Sequence, residues 1–366
     1  MDKTKKLIVF FMLLSCFFML ISSASAADFH VKDKTTHKDI TNWMKNAKKG
    51  DNLIFDRSSY NLTNTIKINK AINVKSSKNT KISFSRNRPM FNITTSNKVT
   101  FSGLTLNYYG KGSNNRGIGV VSSSQGIKKV NFNKVNINSN GSYVAGIEIP
   151  YWEGSVSKSK IKVNGVWGLG ISSTQWKGNL VNSHVSVRGN SAISVYSTYW
   201  NGKVSGSNIY NYGATETGVP AGILFVFAKG TISKCKVEVP NGGALRLDKN
   251  VKVSGCTLKS QKGTPKIYRF LPDLSLDKKV KRSGNTYSIK VSNVGLGSSS
   301  ACYLGVKIGN YVKTVKVKAL GFDKSTIVKI TLPSKYINKK YTKIAKIDYY
   351  NKVKEDNKQN NIIEFK

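Results

Sequence analysis

The feature that most constrains this chain is a short phrase that recurs between Gly117 and Leu258. Each copy opens with a small residue and an apolar-x-apolar triplet: Gly117-Ile118-Gly119-Val120, Gly146-Ile147-Glu148-Ile149, Gly168-Leu169-Gly170-Ile171, Ala192-Ile193-Ser194-Val195, Gly222-Ile223-Leu224-Phe225 and Ala244-Leu245-Arg246-Leu247. A second alternating set follows, marked by Phe132, Val156, Leu180, Val204 and Ile232, at steps of 24, 24, 24 and 28 residues. The period is too short for a propeller blade, and the chain lacks the helix that a leucine-rich repeat requires. Short strands of period-2 alternation, broken by Gly and Asn, fit one coil of a parallel β-helix, since one side chain of each pair points inward and glycine permits tight corners. Equivalent residues then stack coil upon coil, about 4.8 Å apart. Aligning the phrases puts Glu148 in an outward column with Gly119, Gly170, Ser194, Leu224 and Arg246.

The chain begins with Lys3, Lys5 and Lys6, an apolar run from Leu7 to Ile21, and Ala24-Ser25-Ala26. This pattern reads as a secretory signal peptide over 1–26, with Cys16 inside the discarded run; once it is removed no stable membrane insertion is expected. Residues 39–49 place Ile40, Trp43, Met44 and Ala47 at helical spacing before Gly50, which predicts a capping helix closed by that glycine, with Trp43 as core against the first coil. A β-helix needs such a lid because its end leaves an apolar core and unpaired backbone open. The expected β-helix runs over 27–262. Gly263-Thr264-Pro265 and Leu271-Pro272-Asp273 bound a linker over 263–271, and about seven short strands over 272–366 read as an immunoglobulin-like sandwich.

Gly50-Asp51-Asn52-Leu53-Ile54-Phe55 before Tyr60-Asn61-Leu62, Ile66-Lys67-Ile68-Asn69-Lys70-Ala71-Ile72-Asn73-Val74 and Val99-Thr100-Phe101-Ser102-Gly103-Leu104-Thr105-Leu106 resemble adhesin-like surface proteins of methanogenic archaea. That resemblance covers roughly 28–260 and implies a right-handed parallel β-helix of the pectin lyase-like type; its motifs specify fold rather than function. Val291-Ser292-Asn293-Val294-Gly295, Ala319-Leu320-Gly321 and the ending Asp348-x-x-Asn351-x-Val353-x-Glu355-x-Asn357-x-x-Asn360-Asn361 resemble the cell-adhesion-related CARDB domain. The Asp and Asn side chains of that ending read as caps of the last hairpin rather than metal ligands.

Enzymes of this architecture need clustered acids, either paired for hydrolysis or gathered around calcium. From Ser58 to Val237 the carboxylates are Glu148, Glu153 and Glu216 alone, and His30, His37 and His184 have no catalytic company. No catalytic residue, metal site or cofactor is expected, and no phosphate loop or nucleophile elbow is present. The formal charge is +41, with eight arginines among 59 basic residues. Such a lysine excess favours long-range attraction to polyanions over bidentate recognition. Nucleic acid is not expected as a partner, since no recognised module accompanies the charge.

Tyr151-Trp152-Glu153-Gly154, Gln175-Trp176-Lys177-Gly178 and Tyr199-Trp200-Asn201-Gly202 recur at intervals of 24, so Trp152, Trp176 and Trp200 share one column. The column is either an interior stack filling a corner or a platform for sugar rings, flanked by Tyr151, Tyr199, Tyr196 and the loops Tyr108–Gly112 and Tyr210–Pro220. Cys235 and Cys256 fall at one position of successive coils, within reach of a disulfide or stacked as small apolar thiols, and Cys302 is left without a partner. Asn61, Asn92 and Asn140 head glycosylation sequons. The expected protein is a secreted or cell-surface adhesin-like binder of polysaccharide or another anionic envelope polymer, without catalysis. A polysaccharide lyase or hydrolase of the pectate-lyase-like type is the alternative.

Overall fold

The computed structural model describes residues 26–110, 117–122, 125–213, 220–338 and 340–366, so the stretch 1–26 expected to be a signal peptide lies outside the described residues except for Ala26. The chain is nearly all β, with one α-helix, and forms a parallel β-solenoid followed by a β-sandwich. Each coil contributes a path to a 17-stranded parallel sheet and a short strand to a nine-stranded one. Trp167–Val181, His184–Arg188 and Ile193–Ser205 are one such succession. The solenoid interior is continuous from Val31 to Val251.

The predicted inward column is present: Phe132 pairs with Val156, Val156 with Leu180, Leu180 with Val204 and Val204 with Ile232. The opening phrases pair differently from the alignment at three steps. Ile147 rather than Ile149 sits against both Val120 and Ile171, and Val195 sits against Ile223 rather than Phe225. Glu148 accordingly shares its column with Val121, Ser172, Tyr196, Leu224, Arg246 and Tyr268. A two-residue shift leaves every side chain on its own face, so polarity alone does not detect it.

One corner explains the cysteines. Lys158, Asn182 and Lys234, with Gly206 between them, hold φ near +50° and turn the chain from one sheet to the other. The residue after each is buried: Ser159, Ser183, Ser207 and Cys235. The backbone N–H of Val135 donates to Ser159 Oγ, that of Ser159 to Ser183 Oγ and that of Ser183 to Ser207 Oγ, at 3.1–3.2 Å. Each hydroxyl donates in turn to the carbonyl two residues back. Cys235 and Cys256 continue this ladder as thiols, with Sγ at 3.2 and 3.3 Å from the carbonyls of Ser233 and Ser254. They are not bonded to each other, and Cys302 is also free. The bridge offered as one reading is replaced by parallel thiols that each satisfy a local carbonyl. Burial pushes the Cys235 and Cys302 thiols up to about 11, which suppresses the reactive thiolate. Alkylation of the denatured, unreduced protein is therefore expected to label three thiols in the mature chain, with Cys235 and Cys302 protected in the native state; a linked Cys235–Cys256 peptide in non-reducing maps would contradict this.

The capping helix runs His37–Asn46, two residues earlier than expected. Thr36 and Asp39 form a capping box at its start, and Ala47 rather than Gly50 is its C-cap. Its apolar face buries Ile40 and Met44, while Trp43 is only half-buried and stacks on Phe29 at 5.2 Å. Asp51 fastens the lid: its carboxylate accepts the backbone N–H groups of Ala27 and Lys48 at 2.9 and 2.7 Å, and these donors hold it below the usual carboxylate range.

At the other end, Ile267–Arg269 pairs in parallel with Leu245–Leu247, so the solenoid continues into the stretch read as a linker. Arg269 anchors it by donating to the carbonyls of Asp248 and Val251 at 2.7 and 2.9 Å. The sandwich consists of two four-stranded antiparallel sheets, one with Thr286–Asn293 against Lys324–Thr331 and the other centred on Cys302–Ile308. Lys281–Ser283 is an eighth strand beyond the seven expected. Asp348 caps its turn as anticipated, accepting from the N–H groups of Lys352 and Val353. Glu355 instead reaches back to the N–H of Leu274 and to Asn361, tying the domain's first strand to its last segment.

Candidate functional site

The three tryptophans pair in register, Trp152 with Trp176 and Trp176 with Trp200, and each is 1% exposed. Trp152 and Trp176 stack at 4.7 Å and 5°, and their indole N–H groups donate to the carbonyls of Val130 and Gly154 at 2.8 and 3.0 Å. Trp200 breaks the pattern. It stacks on Phe225 at 4.4 Å and leaves its buried indole N–H without a hydrogen-bond partner. The column is thus interior, and the reading of the indoles as an exposed sugar platform is corrected: their alternation with exposed Tyr151 and Tyr199 turns them into the core.

The neighbouring outward column carries the accessible aromatics. Tyr151, Gln175, Tyr199 and Phe227 succeed one another in register, with Tyr151 and Tyr199 42% and 50% exposed. Phe227 packs against Tyr199 at 5.2 Å with the rings tilted by 35° on one side, and stacks on Phe322 of the sandwich at 4.7 Å on the other. The sandwich is further held by Lys249 Nζ, which donates to the carbonyl of Ser298 at 2.6 Å. A cleft of about 690 Å³ opens between the two domains, walled by Tyr199, Phe227 and Phe322, by Lys177, Lys229 and Lys324, and by Asn201 and Asn250. Its walls combine apolar rings with a few convergent polar groups. Trp176 and Trp200 also contribute to its walls, while Trp152, Tyr151 and Tyr196 do not. Tyr196 lies in the Glu148 column and pairs its hydroxyl with Thr198 at 2.8 Å. Of the flanking loops, residues 111–112 and 214–219 lie outside the described residues.

Acid counting over the repeats missed two carboxylates that the domain interface brings to this cleft, Asp248 and Asp323. Asp248 is buried, and desolvation raises its pKa, although it accepts the N–H of Asn250 at 2.8 Å. Asp323 is exposed at a turn with φ of 53°. Among the described residues no group of three or more His, Cys, Asp or Glu could hold a metal ion. His30 pairs with Asp56 at 2.6 Å, and the pKa of His37 is lowered by burial and then by Arg88. No described helix is long and apolar enough to cross a membrane.

Two further residues escaped the sequence reading. Tyr143 and Trp167 pair in register, stack at 6.1 Å and 6°, and are 39% and 40% exposed, so the indole that does face solvent is Trp167. Their separation, 24 residues, was the available signal. Phe322 carried none, since its position depends on how the sandwich docks.

Residues 271–365 match the family model CARDB, so the sandwich is a CARDB domain. Among solved structures, the chain is similar to a domain of a protein from Methanosarcina acetivorans that carries a provisional cell-surface description, at 24% identity and a TM-score of 0.24, covering 26% of this chain and 88% of that one. It is similar to the CARDB domain of a Pyrococcus furiosus protein in complex with di-metal ions, at 24% identity and a TM-score of 0.23, covering 26% and 85%. Full-length tailspike protein 2 of an Escherichia coli O157:H7 bacteriophage, CAB120, is similar at 10% identity and a TM-score of 0.39, covering 88% of this chain and 65% of its own. The comparison with curated proteins gave no match.

Proposed function

We propose that this is a secreted, adhesin-like cell-surface protein that holds polysaccharide without cleaving it, in the cleft between solenoid and CARDB domain. The observation that carries the reading is the continuous wall Tyr199–Phe227–Phe322 beside three lysines. Sugar rings stack their C–H faces on such aromatics, amides such as Asn201 and Asn250 meet hydroxyls, and ammonium groups favour acidic substituents. The CARDB match and the lysine excess support a role at an envelope rich in anionic polymer, and the resemblance to methanogen adhesin-like proteins agrees with it.

The full chain on a printed array of neutral and acidic oligosaccharides provides the test. Tyr199→Ala with Phe322→Ala is expected to weaken the retained glycan at least tenfold, about 1.4 kcal/mol, with an unchanged far-UV spectrum. Undiminished binding by that double variant would remove the cleft from the reading.

Asp248 and Asp323 give the alternative its one specific support, since two carboxyl groups reach this cleft, burial raises the pKa of Asp248, and glycosidases divide acid and base work between two such groups. Release of reducing ends or unsaturated products from the array-positive glycan, abolished by Asp248→Asn, would favour hydrolysis or lyase action over simple adhesion.

A further inference from the structure

The nine-stranded sheet has its own outer face, away from the cleft, and its chemistry is uneven. Its outward columns run Asn136–Lys160–His184–Asn208–Lys236 and Asn138–Lys162–Ser186–Tyr210–Glu238. At the margin, Asn140, Asn164 and Arg188 stack in a third column. A shallow depression of about 600 Å³ lies over these columns, lined among others by Lys162, His184, Arg188, Tyr210 and Tyr212.

Three features set it apart from an ordinary solvated sheet. The aromatic rings are arranged as a shelf: Tyr210 lies 5.2 Å from His184, and Tyr212 lies 6.1 Å from Tyr210 in a nearly parallel plane. Cations sit on those rings, with Arg188 5.3 Å over Tyr212 and Lys236 5.5 Å over Tyr210. Among the described residues lining the depression there is no carboxylate. The nearest acid along the column, Glu238, is already engaged by Lys236 at 3.8 Å and Lys259 at 3.1 Å. The positive field reaches His184, whose pKa is lowered first by burial and then by Lys160 and Lys162.

We propose that this shelf is a second binding site, for an acidic polysaccharide laid across the stacked coils. Charge complementarity selects the ligand: Lys160 and Lys162 share one coil, Arg188 lies on the next and Lys236 two coils further, so cations are presented across coils about 4.8 Å apart, which suits a polymer bearing repeated carboxylate or sulfate groups. The rings and the Asn138, Asn164 and Ser186 side chains supply stacking and hydroxyl recognition, which a purely electrostatic surface would lack. The site stands on a different sheet from the cleft and does not depend on it. A chain with both sites could bridge two polymers.

Titration calorimetry of the full chain with oligogalacturonate and with a sulfated oligosaccharide tests this. Lys162→Gln with Arg188→Gln is expected to lower affinity for the acidic probe at least tenfold, and wild-type binding should weaken steeply as salt screens the exposed charges. In a Tyr199→Ala, Phe322→Ala background, where the cleft is disabled, the same charge substitutions should still lower affinity for the acidic probe at least tenfold. If the double charge variant is poorly folded, Tyr212→Ser at its exposed position supplies the same comparison. In that cleft-disabled background, equal affinity in the charge or tyrosine variants, equal binding of a neutral oligosaccharide of matched length, or single-stranded DNA of matched charge binding as tightly would overturn the proposal.

Discussion

Trp176→Ala is expected to cost about 3–5 kcal/mol, the range for removing a large aromatic from a packed core. Its indole lies inside the solenoid, stacked on Trp152 and bonded to the carbonyl of Gly154, so truncation opens a cavity between coils and removes the donor to a part-buried acceptor. Neighbouring coils bury the same column and cannot collapse into the gap without moving a strand that pairs on both sides. Tyr151→Ala, one residue before the stacked Trp152 but 42% exposed, should stay within about 0.5 kcal/mol. Chemical denaturation followed by circular dichroism makes the comparison without relying on indole fluorescence. Equal, small losses in the two variants would mean that the column is not a structural stack.

Most of the solenoid was legible because its signal is a period, and a period repeats its own confirmation. The Phe132 column and the tryptophan register follow from steps of 24 and 28 alone. Which way the tryptophans point was left open because the Gly154-Ser155 break interrupts counting back from Val156, although exposed Tyr151 and half-buried Glu153 on either side of buried Trp152 hold the parity. The shift at Ile171 escaped since a move of two residues preserves alternation. The serine ladder was visible as small inward residues, yet its role as a run of hydrogen bonds, which Cys235 and Cys256 extend, depends on positive-φ corners that Lys158 and Lys234 do not announce. The cleft was the least legible part. Tyr199 and Phe227 belong to one column, but Phe322 and Asp323 reach them only through docking of a separate domain, a contact across 95 residues that no local pattern encodes.

Gly178→Ala should be at least as damaging as loss of Trp176, for a reason that a list of buried residues does not show. Gly154, Gly178, Gly202 and Gly230 follow the column of aromatic and small residues at the same offset, and Gly178 pairs with Gly202 and Gly202 with Gly230. A methyl group on Gly178 would lie well under 3.0 Å from the carbonyl oxygen of Gly154 and 2.7 Å from the indole nitrogen of Trp176. That carbonyl is the one the indole uses, so alanine would both collide with backbone and occupy the path of the hydrogen bond. The backbone of the preceding coil is fixed by its own ladder and cannot yield as a side chain would. The cost should therefore exceed the roughly 1–3 kcal/mol of ordinary overpacking. Gly178 does not adopt a left-handed conformation, so the penalty is one of space. Gly284 provides the contrast, since its φ is +57° and nothing lies within 4 Å of the added methyl. Gly284→Ala should lose only about 1–2 kcal/mol, the cost of the left-handed backbone. Comparable unfolding midpoints for the two alanine variants would show that the coils can separate to admit a methyl group, and the close approach of successive glycines would not then be what sets the corner.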